Sequence, residues 1–93
     1  MQNAEPFYKI LVNNFSEQLR STNEEYMKAD LRFYEVFDLL KDKTITFEKY
    51  IALQKEDDAL KQKLRDLKTK KDTLEYAREI IFDTYEEFRN KRG

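Results

Sequence analysis

Large apolar side chains return every seven residues along most of this chain. Val12, Leu19, Tyr26, Phe33 and Leu40 form one series, with Tyr8, Phe15, Thr22, Ala29 and Val36 as its companion set. After a short polar break, Leu53, Leu60, Leu67, Leu74, Ile81 and Phe88 repeat without a miss. Beside them runs a weaker set: Tyr50, Asp57, Leu64, Lys71, Arg78 and Tyr85. A seven-residue apolar repeat is the mark of helices that wind around one another. The spacing predicts helices over about 4–41 and 46–91, both longer than an ordinary globular helix, with a turn at about 42–45.

The break itself reads "LKDKTITFEK". It combines the polar cluster Lys41-Asp42-Lys43-Thr44 with the β-branched run Thr44-Ile45-Thr46, neither of which favours a helix interior. Thr46 is a candidate N-cap for the second helix. Ile45 and Tyr50 then have the spacing of a hydrophobic staple. At the other end of the first helix, Pro6 falls where a first turn tolerates proline.

Folding the chain back at this turn matches the two series layer by layer. Phe33 meets Leu53, Tyr26 meets Leu60, Leu19 meets Leu67, and Val12 meets Leu74. The alternate layers place Val36 on Tyr50, Ala29 on Asp57, Thr22 on Leu64, Phe15 on Lys71 and Tyr8 on Arg78. In the last two, the cationic stems are expected to lie over aromatic rings. The flanking positions pair Glu25 with Lys63, Arg32 with Glu56, and Lys9 with Glu75, all of opposite sign. Asp57 is the one acid at a core position. The small side chain of Ala29 opposite leaves it room to reach water; the other reading is a buried acid that specifies register or oligomer state.

Composition narrows the class. Of 93 residues, 40% are charged and 40% hydrophobic, with a single Gly and a single Pro. That is too apolar for a disordered tail and too poor in turn formers for an all-β domain. The expected fold is all-α: one antiparallel two-helix coiled-coil hairpin, paired into a four-helix bundle or a larger helical assembly. Without Cys or His, disulfides, thiol catalysis, zinc sites and histidine acid–base chemistry are excluded. No phosphate loop, nucleophile–base pair or cofactor motif is present, so an enzyme is not expected and no cofactor or metal is implied. No apolar run is long enough to span a bilayer, and "MQNAEPFYK" lacks the basic-then-apolar pattern of a signal peptide. A cytoplasmic protein is expected, with signal-independent export left open.

Charge is uneven. Residues 1–40 carry four bases and seven acids, whereas residues 41–93 carry fourteen bases and twelve acids. The stretch "KQKLRDLKTKK" at 61–71 holds six bases and one acid. In the heptad frame these bases straddle the seam, where a coiled coil expects charge. Lys61, Lys68 and Lys70 face Asn23, Ser16 and Gln18, which do not neutralise them. They are the candidate contacts for a nucleic-acid backbone, a reading ranked below the coiled-coil flank because the outer positions Gln62 and Thr69 are uncharged.

Several large apolar residues have no place in the seam. Met27, Leu31, Tyr34, Phe37, Phe47 and Ile51 gather on one flank near the turn. Phe7, Leu11 and Ile80, with Ile10 and Ala77, gather on the other flank near the open end. Contiguous exposed apolar surface of this kind marks an interface. The expected function is a protein–protein interaction module whose partner is itself, as a dimer or tetramer, or a larger helical protein. A small adaptor or chaperone for such a partner is the alternative. A membrane-surface role is not expected, because no helix sets a basic face behind a broad apolar one. In length, acidity, lack of cysteine and helix-turn-helix plan, the chain resembles in architecture the small helical-hairpin proteins of type VII secretion. It departs from them at the turn, which reads "KDKTITF" in place of Trp-x-Gly. It departs again at 82–86, where "FDTYE" stands in place of Tyr-x-x-x-Asp/Glu.

Overall fold

The computed structural model describes residues 5–92, which form two α-helices joined by a short turn. Helix α1 spans Glu5–Leu40 and α2 spans Phe47–Arg92. They lie antiparallel as a hairpin, and α2, with 46 residues, is about 69 Å long at 1.5 Å per residue. The expected start at residue 4 lies outside the described residues; every other element bound falls within a residue of its sequence-based position.

Local chemistry explains where each helix stops. The last turn of α1 tightens, with the Lys41 and Asp42 amides donating to the carbonyls of Asp38 and Leu39 at 3.1 and 3.2 Å. Such three-residue bonds satisfy carbonyls that an α-helix end leaves without partners. Asp42 then holds the turn. Its Oδ1 accepts from the Thr44 amide at 2.9 Å and from the Thr44 hydroxyl at 2.7 Å, a side-chain mimic of a backbone turn. These two bonds, the hydroxyl's first, draw the Asp42 carboxyl below its ordinary pKa. Thr46 caps α2, its Oγ1 accepting from the Lys49 amide at 3.2 Å. The reversal is made with no described residue at positive φ, so no glycine is required.

The core is a thin line along the seam. Leu19, Ala29, Val36, Leu53, Leu67 and Leu74 are buried, with Val36 fully enclosed. Val12, Tyr26, Phe33 and Leu60 are half-buried, as expected where only two helices share one seam. Thr22 is buried in this line, and its hydroxyl donates to the Gln18 carbonyl one turn back at 2.7 Å. Asp57 is buried as well, at 5% exposure, so it does not reach water as expected. Ala29 makes space for it, but Lys61 on the next turn closes that space, its Nζ lying 2.9 Å from Asp57 Oδ2. That hydrogen bond raises the Lys61 pKa. No buried side-chain nitrogen or oxygen among the described residues lacks a hydrogen-bond partner.

Candidate interaction surfaces

The two flanks of the seam are finished differently near the turn. On one flank, Arg32 reaches across to α2 and grips Glu56 with both prongs, Nε to Oε2 at 2.6 Å and Nη2 to Oε1 at 2.8 Å. Its third nitrogen, Nη1, donates to Glu35 at 3.0 Å. A forked guanidinium on a carboxylate fixes direction as well as distance. Donation from Arg32 lowers the Glu56 pKa, and the two carboxylates together raise that of Arg32. This clasp bridges the two helices on one side of the turn half.

The opposite flank is left apolar. Met27 and Leu31 are each 64% exposed and Phe47 is 77% exposed, with Tyr34, Phe37 and Ile51 open beside them. Lys41 lies over the Phe37 ring, 4.3 Å from its centre, and so marks the end of the stripe at the turn. Tyr34 meets the seam residue Phe33 edge to face. The stripe has an immediate neighbour in a hollow at the turn, of about 440 Å³, whose lining includes Leu40, Ile45, Phe47 and Tyr50. Ile45 and Tyr50, the two ends of the staple, thus share one depression.

At the open end the helices meet through rings. Tyr8 and Tyr85 stack with centroids 4.0 Å apart and planes 10° from parallel. The expected layer set Tyr8 against Arg78. Side chains on both helices lean toward their own N-termini, so Tyr8 leans outward, Tyr85 leans inward, and the two rings meet between layers. Lys71 and Arg78 are half-buried stems, and it is Lys41, near the turn, that lies over a ring. Beside the stacked pair is an open apolar hollow of about 310 Å³, lined by Phe7, Tyr8, Leu11, Ile81, Thr84, Tyr85 and Phe88. Phe7, Ile10 and Ile80 are exposed, but Leu11 is half-buried as part of that hollow. Four exposed rings lie outside the expected flanks. Tyr76 and Phe82 occupy outer and flanking heptad positions, while Phe88 and Tyr50, both expected in the seam, are 44% and 39% exposed.

Two expected cross-helix ion pairs are absent. Lys9 pairs with Glu5 on its own helix at 3.4 Å, not with Glu75. No ion pair joins Glu25 to Lys63 among the described residues. Long exposed side chains gain little from one fixed partner, and a partner on the next turn is nearer.

The chain matches no family model, no curated protein and no solved structure.

The basic stretch does not gather into one outward face. Lys61 is held by Asp57. Arg65 donates to Gln62 at 2.8 Å, and Gln62 donates to Asp66 at 2.8 Å. Lys68 and Lys70 remain exposed on opposite flanks of the seam. No helix among the described residues is long and apolar enough to cross a membrane. No group of three or more acids among them is placed to hold a metal ion.

Proposed function

We propose that this chain is a non-enzymatic interaction module: a coiled-coil hairpin that uses its turn-end apolar flank to join other helices into a larger helical assembly. One observation carries the reading. Met27, Leu31, Tyr34, Phe37, Phe47 and Ile51 are all exposed, and their heptad positions place them on the flank that the Arg32–Glu56 clasp leaves open. Fully burying one such side chain contributes about 1.5–3 kcal/mol. Half a dozen therefore outweigh the exposed ion pairs, each of which contributes about 0.2–1 kcal/mol. An amphipathic helix laid along the stripe would complete a wider bundle core.

The reading is tested by Phe37→Asp and Phe47→Asp, measured side by side for solution mass and far-ultraviolet helicity. Both should lower the mass of the assembly while leaving the helices formed, because neither side chain belongs to the seam. An assembly of unchanged mass in both variants would sink the interface.

A further inference from the structure

We infer that the turn-end flank is covered by a basic amphipathic helix of another protein, with its apolar face on the stripe and its lysines and arginines against Asp30, Asp38 and Asp58. The inference rests on the proposed reading of that flank as an interface, and it names the chemistry of the occupant.

The stripe is set among carboxylates. Asp30 stands three residues after Met27 and four before Tyr34, so it shares their face of α1. Glu24 and Asp38 lie seven residues to either side of Leu31, in line with it along the outside of α1. On α2, Glu48 precedes Ile51 by three residues and Asp58 follows it by seven. None of these carboxylates forms an ion pair among the described residues. The bases beside them are largely engaged. Lys41 lies over the Phe37 ring and Lys61 is bonded to Asp57, which leaves Lys55. Lys28 and Lys49 take heptad positions on the clasped flank, and in the turn Lys43 is offset by Asp42. The turn half of the open flank is therefore apolar and net acidic.

Desolvation makes this charge a requirement on the partner. Asp30 is already half-buried. A helix laid on Met27 and Tyr34 takes away much of the water left around the carboxylate between them. A charge that loses its water without gaining a partner opposes binding. An apolar or acidic cover would leave Asp30 and its neighbours in that state, whereas lysines or arginines along the edges of the cover pair with them. The surface also limits the length. Met27 to Phe37 is about 15 Å of helix, and beyond Met27 the flank becomes basic at Arg20, Arg65 and Lys68. A helix of about three to five turns, apolar on one face and basic along its edges, fits both parts of this surface.

The test is titration of the full chain with two synthetic amphipathic peptides of about eighteen residues, long enough to hold a helix. Both carry the same leucine face, and the polar face is lysine in one and glutamate in the other. By calorimetry the lysine peptide should bind at least about tenfold more tightly, with an affinity that falls as salt is raised. Asp30→Asn with Asp58→Asn should weaken it about tenfold. Phe37→Ala with Phe47→Ala, which removes the rings without adding charge, should weaken it at least as much. Equal affinity for the two peptides, lost with the rings, overturns the basic occupant and leaves the interface reading intact. So does a chain that pairs with itself through the stripe and stays paired against the lysine peptide. Binding of neither peptide overturns the occupant. Failure of the interface reading itself looks different: the lysine peptide binds, and loss of both rings does not weaken it.

Discussion

Arg32 and Asp57 show how single residues hold this hairpin, and they do so by opposite means. Arg32 makes the bond that ties the helices across the seam, and its partner Glu56 has a pKa drawn below the ordinary 4.5. A carboxyl depressed in the folded state contributes stability that is present above its ordinary pKa and is lost as pH falls through the lower folded value. The melting temperature should therefore fall on acidification below the ordinary glutamate range, and fall less in Glu56→Gln than in the parent. Asp57 instead has its partner on its own helix. An acid buried beside a half-exposed base can give way to a packed apolar group, because the base left behind is solvated, whereas removing the base leaves the acid buried and uncompensated. Asp57→Leu, beside the small Ala29, should be neutral to stabilising by about 1–2 kcal/mol, and Lys61→Ala should lower the melting temperature. If both variants melted alike, the pair would have no energetic role in the core. The seven-residue spacing placed Asp57 in the core correctly but not its fate. Whether an acid reaches water depends on what the next turn can fold over it, and that is a matter of side-chain reach rather than of spacing.

At the scale of elements, the two helices and their turn were legible because every local signal agreed. The polar cluster, the Thr46 cap and the loss of heptad phase all fall at the same place. Thr46→Ala should cost about 1 kcal/mol, read as a shift in a denaturant midpoint. Cysteines replacing Leu19 and Leu67 should form a disulfide within one chain, since both side chains are buried and the heptad register sets them in one layer; failure to close would mean a different register. Less legible was the detail of the charged flanks. Of the three expected cross-helix pairs only Arg32–Glu56 forms, because arginine's planar fork repays orientation, while lysine takes whichever carboxylate lies nearest. The open end was also misread. A layer diagram treats side chains as points at their own height, yet Tyr8 and Tyr85 each lean by several ångströms and meet where no layer was drawn.

For the whole molecule, the decisive feature is what one hairpin leaves unburied. A two-helix seam encloses only a narrow line of side chains, and a chain in which 14% of residues are aromatic has more apolar surface than that line can take. The excess was visible in the sequence as large residues outside the heptad seam. Tyr76 and Phe82 were passed over because each stands alone at its position rather than in a series. Near the turn the Arg32 clasp bridges one flank and the other is left apolar, so assembly at the turn end should be one-sided. The most direct measurement is solution mass, by light scattering on a sizing column over a range of concentrations. A mass above that of one chain is expected once a basic amphipathic helix is supplied to cover the open flank. A single-chain mass at every concentration of that helix would contradict it.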